Sequence, residues 1–385
     1  MPTLFGKHDY VRVFANPVRR KTDGTFQNKS GDLSLRIGVV DYVCKPTSRI
    51  TFSLIEKLNE EGCRVHLATS TPPDLSAVEK MLGKRIKIEK VFGLIRMPIA
   101  SFVAAPASFS RSVDCIVKIH GPLIPFPGKP HIFYDFMGRV EEKHDVRDAV
   151  APMMRLYRRL TSLRVVCRSN YAASELSRRT GINADKVIYP PVDTARFGEV
   201  ASCTHRKNHV LSLSLFGPEK RHLDQVELLA TLSKRVDLKM VMIGDTLPRQ
   251  EEYPRAIMNY ARRLGVEENL SIRIGLPLAE LQKHLSEAKV FLHTKRNEYF
   301  GLAILEGMCS GLIPVVHDSG GPKEFLPRRF RYADLDEAAR LIEDFLNDAT
   351  YMDRRQETID LAKRFDERIF QDQMMKLVVE SICDK

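Results

Sequence analysis

Short apolar segments alternate with amphipathic segments along most of this chain, and the alternation starts afresh after residue 208. The first half opens with LRIGVVDY (35–42) and CRVHLAT (63–69), and the second opens in the same way with HVLSLSLF (209–216) and LKMVMIG (238–244). Continuous apolar strands between amphipathic helices are typical of a parallel sheet covered on both faces. The pattern therefore predicts an α/β fold of two Rossmann-like domains that face each other across a cleft.

Changes of composition indicate where the two halves end. Two prolines in KVIYPPVD (186–193) force extended backbone and end the first half. The polar stretch ASCTHRKN (201–208) is typical of a linker. We predict a basic N-terminal extension (1–34), a first Rossmann-like domain (35–193), a linker (194–208), a second Rossmann-like domain (209–365) and a C-terminal helix (366–385) whose packing on the first domain is left open.

The net charge and the cysteines indicate the kind of partner and the cellular compartment. A formal net charge of +11 favours anionic partners, but no RNA-binding motif, finger spacing or long Lys/Arg tract indicates nucleic acid. No stretch has the roughly 20 mostly apolar residues of a membrane span, and no apolar signal core is present. The seven cysteines contain no CxxC pair. We therefore predict a cytoplasmic protein with reduced thiols and no metal site.

A loop and a helix start follow one strand of the second half. The strand KVFLHT (289–294) leads into KRNEYFG and then into a mostly apolar helix pattern. Ligands of open parallel sheets lie beyond the carboxyl ends of the strands, and the first N–H groups of a helix lack internal partners. We therefore predict that the backbone of Phe300, Gly301 and Leu302 forms an anion-binding site suited to a diphosphate, called here the cradle. The glycine lets a ligand oxygen approach the backbone closely.

Two carboxylates flank this cradle, Glu298 just before the helix and Glu306 more than a turn inside it. With this offset they could hydrogen-bond different hydroxyl groups of one elongated ligand, and a nucleotide sugar fits. The spacing leaves open that Glu298 is a surface cap and Glu306 a solvated side chain. Apolar neighbours favour an enclosed Glu306, which is costly to bury without a partner.

Two nearby loops supply further candidates. Lys220 in FGPEKRHLD (216–224) is predicted either to reach the same diphosphate as a point charge or to be an exposed lysine of a basic protein. The glycine pair in HDSGGPKEF (317–325) predicts either a close backbone approach to a ligand or an ordinary tight turn.

These segments together resemble one family. NEYFGLAILE (297–306) and GLIPVVHDSGGPKE (311–324), preceded by PEK (218–220) after a strand, resemble the family-four retaining glycosyltransferases, which have the GT-B fold. The resemblance covers about residues 35–365. In the C-terminal motif it is nearest to the GDP-mannose-dependent α-1,2-mannosyltransferases that extend lipid-linked oligosaccharides.

The resemblance implies a metal-independent hexosyltransferase that retains anomeric configuration and needs no cofactor beyond its donor, GDP-mannose or a UDP-sugar. It implies that Glu298 contacts the donor sugar and that Lys220 holds the diphosphate with the amides of Gly301 and Leu302. Glu306 would bind the ribose. The first domain would be the acceptor side and the second would bind the nucleotide sugar, with a glycan or a polyprenyl-linked sugar as the acceptor.

Three positions depart from the family. Leu215 stands where the family often has an arginine five residues before the lysine, so part of the diphosphate clamp is missing unless Arg221 substitutes for it. The first strand is followed by DYVCKPTSR, without the family's glycine pair. Asp135 stands where the family often has a histidine, and we predict either a catalytic residue that orients an acceptor hydroxyl or a loop cap.

Two segments of the first half bear on the acceptor. Residues 91–110 are apolar with scattered Pro and Gly, and RLYRRLTSLRVVCR (155–168) has five arginines and no acid. They predict either peripheral contact with the cytoplasmic membrane face or an internal helix with a solvated basic face. The main hypothesis is a retaining hexosyltransferase, with mannose as one candidate for the hexose. The alternative is a catalytically inactive nucleotide- or carbohydrate-binding subunit of the same fold.

Overall fold

The computed structural model describes residues 19–20, 26–27, 35–41, 48–70, 73–82, 85–93, 108–120, 128–134, 155, 158, 162–203, 205–246, 250–347 and 351–383. Contacts between α-carbons divide the chain into two compact units. The first comprises residues 1–134, 153–164 and 374–385, and the second comprises residues 135–152 and 165–373. The domain boundaries that the sequence predicts stay a prediction.

Among the described residues, the first sheet contains seven strands. A short antiparallel pair, β1 (Arg19–Arg20) and β2 (Phe26–Gln27), precedes it. The strands of the sheet are β3 (Arg36–Asp41), β4 (Arg64–Thr69), β5 (Lys90–Gly93), β6 (Cys115–His120), β7 (His131–Tyr134), β8 (Leu163–Cys167) and β9 (Lys186–Val187). Their order is β5-β4-β3-β6-β7-β8-β9. Strand β3 pairs in parallel with β4 and β6, as parallel crossover connections require.

The second sheet contains six parallel strands. They are β10 (Lys207–Leu213), β11 (Lys239–Gly244), β12 (Leu270–Ile274), β13 (Ala288–His293), β14 (Ile313–His317) and β15 (Arg331–Tyr332). Their order is β12-β11-β10-β13-β14-β15. Because β10 and β13 are neighbours that run the same way, the loops after them open at the same edge of the sheet.

The helices follow the amphipathic segments of the sequence. They are α1 (Arg49–Glu60), α2 (Leu75–Leu82), α3 (Asn170–Thr180), α4 (Thr194–Gly198), α5 (His222–Leu232), α6 (Tyr253–Arg263), α7 (Leu278–Glu287), α8 (Leu302–Cys309), α9 (Leu335–Asn347), α10 (Tyr351–Lys363) and α11 (Glu367–Cys383). Helix α6 is an example. Pro254, Ile257 and Ala261 are spaced three and four residues apart, so they lie on one face of the helix, and all three are buried. None of the helices described is both long and apolar enough to cross a membrane.

The core of the second unit lies between its sheet and these helices. Val290, Phe291 and Leu292 on β13 are fully buried, as are Ile304 and Leu305 on α8. Burying one such side chain contributes about 1.5–3 kcal/mol, so consecutive apolar residues fix this strand in the middle of the sheet. The predicted alternation of strands and helices is confirmed. The helix predicted over 151–160 lies outside the described residues except for Arg155 and Arg158.

Candidate functional site

The start of α8 depends on a glycine. Gly301 stands directly before the helix with φ 98° and ψ 58°, in the left-handed region that other residues rarely adopt. A β-carbon built there would lie 2.5 Å from Ile304 Cδ1. Both the backbone and the neighbouring side chain therefore require glycine at this position.

The first amides at this helix start lack a partner among the described residues. The Gly301 carbonyl accepts from Ile304 N–H at 3.0 Å and from Leu305 N–H at 3.4 Å. Within the described ranges, the amides of Gly301, Leu302 and Ala303 have no hydrogen-bond acceptor. A helix start carries about half a positive charge. The predicted cradle thus has free N–H donors, although its role as a donor-binding site stays a prediction.

Glu298 lies beside this helix start with an exposed fraction of 8%. Its Cγ is 3.6 Å from the β-carbon position of Gly301. Its Oε2 is 3.3 Å from Lys220 Nζ, 3.4 Å from His293 Nε2 and 3.5 Å from Lys295 Nζ. The structure therefore brings together the two predicted residues Glu298 and Lys220, and it adds Lys295 and His293, which sequence reasoning missed.

The charges of this cluster determine its protonation. Burial raises the pKa of the Glu298 carboxyl, but the Lys220 charge, the His293 ring and the Lys295 charge outweigh burial and hold that pKa well below its usual value. Burial lowers the pKa of His293, although the Glu298 carboxylate opposes the change. At pH 7 the cluster therefore has an ionised Glu298 and a neutral His293.

The neighbouring loop holds Lys220 in place through its main chain. Thr294 Oγ1, directly after β13, donates to the Lys220 carbonyl at 2.8 Å. Gln225 Nε2 on α5 donates to the same hydroxyl at 2.8 Å. The end of β13 thus fixes the loop that follows β10, and Lys220 reaches a carboxylate 78 positions away in sequence.

Arg221 has a different partner. It adopts φ 56° directly before α5, and its Nε and Nη2 atoms both lie 2.7 Å from Asp224 Oδ2. This ion pair holds the guanidinium on its own helix. The suggestion that Arg221 replaces the arginine missing at Leu215 gains no support from these contacts, and its donor-binding role stays a prediction.

The glycine pair in the loop after β14 packs against the Glu298 segment. A β-carbon on Gly320 would lie 2.3 Å from the Glu298 carbonyl oxygen, and one on Gly321 would lie 2.2 Å from the Tyr299 carbonyl oxygen. Gly321 N–H donates to the Glu298 carbonyl at 2.8 Å, and Asn297 N–H donates to Ser319 Oγ at 2.8 Å. The pair therefore serves backbone-to-backbone packing, which neither interpretation of the sequence anticipated.

Phe300 is part of the core. Its ring is fully buried and stacks on Tyr189 with centroids 5.5 Å apart. It also contacts Phe325 and Phe365, each at 5.5 Å. Any contact of Phe300 with a donor must therefore come from its backbone, because its side chain anchors the loop.

Glu324 fixes the start of α3. Its Oε2 accepts from Asn170 N–H at 3.0 Å and from Tyr189 OH at 2.9 Å, and its Oε1 accepts from Tyr171 N–H at 2.8 Å. Helix α3 has no acidic residue in its own first turn, so a carboxylate from elsewhere neutralises its helix start. The missing acidic residue in the first turn of α3 was the sequence feature that could have indicated the contact with Glu324.

The remaining predicted residues differ in what the structure shows of them. Glu306 on α8 has an exposed fraction of 6%, so it is enclosed as expected, and its contact with a ribose stays a prediction. Leu302 is half-buried at the first position of α8. Asp135 lies outside the described residues. Among those described, no group of three or more His, Cys, Asp or Glu could hold a metal ion.

The fold is that of glycosyltransferases with two parallel-sheet domains. A glycosyltransferase from Rickettsia africae superposes with a TM-score of 0.74 at 14% identity, covering 91% of this chain and 100% of the other. The Anabaena protein HepE in complex with UDP and glucose superposes at 0.70 and 16% identity, covering 90% and 99%. The predicted α/β fold class, GT-B, is confirmed.

The second half also matches a family by sequence. Residues 200–365 match the family model described as glycosyl transferases group 1. The cluster around Glu298 and the start of α8 lie inside the matched range. The resemblance stated from the sequence is confirmed.

Two relatives found by sequence share one name. The GDP-Man:Man(3)GlcNAc(2)-PP-Dol alpha-1,2-mannosyltransferase of Dictyostelium discoideum is 31% identical over 211 residues, which are 50% of this chain and 41% of that protein. The human protein of the same name is 38% identical over 156 residues, 37% of this chain and 31% of its own. The chain thus spans less than half the length of these relatives.

Proposed function

We propose that this protein is a retaining glycosyltransferase that moves mannose from GDP-mannose to a lipid-linked oligosaccharide. The observation that carries the proposal is the buried, ionised Glu298 beside an open helix start, with Lys220 and Lys295 within 3.5 Å of it. The names of the relatives support GDP-mannose as the donor and a dolichyl-diphosphate-linked glycan as the acceptor.

The chemistry follows from the charges. The bond between the anomeric carbon and the diphosphate oxygen breaks, and the diphosphate gathers negative charge. Lys220 and the amides before α8 would stabilise that charge in a site with little water. The acceptor hydroxyl would bond to the anomeric carbon from the same face and pass its proton to the departing diphosphate oxygen, which retains the configuration. Glu298 would hold a hydroxyl of the donor sugar, and Glu306 would hold the ribose.

A lipid-linked acceptor would bring the protein to a membrane surface. The net charge of +11 supports attraction to anionic headgroups. We propose peripheral binding on the cytoplasmic face. Flotation with anionic and with neutral vesicles tests this: binding only to anionic vesicles, weakened by salt, is expected. Equal recovery with both kinds would contradict it.

The activity is tested with purified protein, radiolabelled GDP-mannose and Man(3)GlcNAc(2)-PP-dolichol, the acceptor in the relatives' name. We expect labelled mannose to enter the lipid fraction with α configuration, and the Glu298→Gln variant to bind GDP but transfer little. UDP-glucose in place of GDP-mannose tests the choice of donor. Binding of GDP without transfer to any acceptor would favour the inactive subunit instead.

A further inference from the structure

The diphosphate site needs a second cation besides Lys220. A bound nucleotide sugar carries two negative charges on its diphosphate, and the departing nucleoside diphosphate gathers more. Position 215 is a leucine and supplies no charge. Arg221 lies next in sequence to Lys220, but its guanidinium is held 2.7 Å from Asp224. A group from another loop must therefore supply the second charge.

Lys295 meets this requirement. It lies in the loop after β13, whereas Lys220 lies in the loop after β10, and these two strands are neighbours in the sheet. The Nζ atoms of the two lysines approach the same oxygen of Glu298, at 3.5 and 3.3 Å. Lys295 has an exposed fraction of 9%, so its charge acts in surroundings with little water to screen it.

Lys220, Lys295 and the N–H groups that precede α8 bring positive charge to one place. A diphosphate bound at this helix start would present anionic oxygens to both ammonium groups and to the free ends of the helix amides.

We propose that Lys295 is the second cation that grips the diphosphate of the donor, in place of the arginine missing at Leu215. The inference rests on the proposed function. Before the donor binds, Glu298 holds both ammonium groups at the site. When the diphosphate enters, the ammonium groups pair with its oxygens and the carboxylate becomes available to a hydroxyl of the sugar. Lys220 and Lys295 then hold the leaving group from two adjacent loops.

The test compares ligands that differ only in phosphate. GDP, GMP and guanosine are titrated calorimetrically into the wild type, Lys295→Met and Lys323→Met. Methionine keeps the length of the side chain without its charge, and Lys323 is an exposed lysine nearby that serves as the control. A charged hydrogen bond contributes about 1.5–3 kcal/mol. Lys295→Met should therefore weaken the binding of GDP by roughly 10- to 100-fold and leave the affinity for guanosine unchanged. Lys323→Met should bind all three like the wild type, and Lys295→Arg should recover part of the loss.

The outcomes separate the inference from the function on which it rests. Wild-type protein that binds no nucleotide would overturn the proposed function itself. Wild type and Lys295→Met that bind GDP equally would overturn only the assignment of Lys295. Equal losses for GDP and guanosine, with a lowered unfolding temperature, would make Lys295 a structural residue. If GDP affinity falls more in Arg221→Met than in Lys295→Met, the second cation at the diphosphate is Arg221.

Discussion

Glu298 stays ionised inside the protein because two ammonium groups lie within 3.5 Å of it. A carboxylate this far from water would take up a proton if it had no such partners. The same contacts keep the lysines in the site while no ligand is bound. One acidic side chain thus maintains the positive charge that we expect a diphosphate to use.

Loss of Lys220 should impair turnover more than folding. We expect Lys220→Ala to lower kcat by more than about tenfold, since one charge-stabilising donor of the leaving group is gone. The exposed Lys234→Ala is the control for the change of net charge. Initial rates with GDP-mannose give the comparison. A near-normal kcat in Lys220→Ala would mean that another cation stabilises the leaving group.

Glu306 should act through the ribose. We expect Glu306→Ala to weaken GDP binding by roughly tenfold, the loss of one hydrogen bond to a charged group. The wild type should bind 2′,3′-dideoxy-GDP more weakly than GDP by the same factor. The variant should bind both nucleotides with equal affinity. Calorimetry measures all four affinities. If the variant binds GDP like the wild type, the ribose assignment is wrong.

Gly301 should tolerate substitution less well than another glycine of similar backbone. Gly265 has φ 70° and nothing within 4 Å of its β-carbon position, so Gly265→Ala should cost only the left-handed backbone penalty of about 1–2 kcal/mol. Gly301→Ala adds an overlap with Ile304 at 2.5 Å, which should raise the cost by about 1–3 kcal/mol. Urea unfolding gives both values, and equal losses would show that the overlap relaxes freely.

Strands β10 and β13 position the candidate site because their loops open side by side. Thr294 at the end of β13 holds the main chain of Lys220, and α5 begins two residues later at His222. His222 is buried against Phe216 and Tyr253, with ring centroids 5.1 and 5.8 Å away. The stability of this helix start is therefore coupled to the charge of one imidazole.

Acid should destabilise the protein through His222. Burial lowers the pKa of His222 from 6.5 to about 4, so the unfolded chain takes up a proton at a higher pH than the folded one. This contribution is complete above pH 6.5 and is lost as the pH falls toward about 4, by up to about 3 kcal/mol. His222→Gln should reduce the pH dependence of the unfolding free energy over this window. An unchanged slope would mean that the pKa of His222 is the same in the folded and the unfolded state.

The elements were predictable from sequence because each depends on local pattern. The strand before Glu298 and the helix after Gly301 follow from an apolar run and a glycine. The packing of Gly320 against the Glu298 carbonyl is different, because it depends on where two loops meet in space. Lys295 was missed for the same reason: its charge matters only beside a lysine that comes from another strand.

Sequence similarity and structural similarity cover different parts of the molecule. The family model covers residues 200–365, whereas the Rickettsia glycosyltransferase superposes on 91% of the chain. The fold of the first half is thus shared with that protein although the family model does not cover it. The candidate donor site lies in the part with recognisable sequence, so donor residues could be predicted by number.

The cysteines report on the integrity of the fold in both halves of the chain. Burial raises the pKa of Cys63, Cys167 and Cys309 to about 12, so these thiols stay protonated and shielded at pH 8. Iodoacetamide should label the exposed Cys383 and the half-buried Cys203 first. The three buried thiols should react only in urea. Peptide mass spectrometry measures each rate, and rapid labelling of any of the three in the native protein would contradict this.

The backbone packing of Gly320 and Gly321 restricts how the two loops that meet there could be redesigned. The backbone from Asn297 to Phe300 touches that pair without any side chain between them. A chimaera that takes the first segment from another protein of this fold must take the second from the same parent. Libraries that vary one of these loops alone would yield mostly misfolded members.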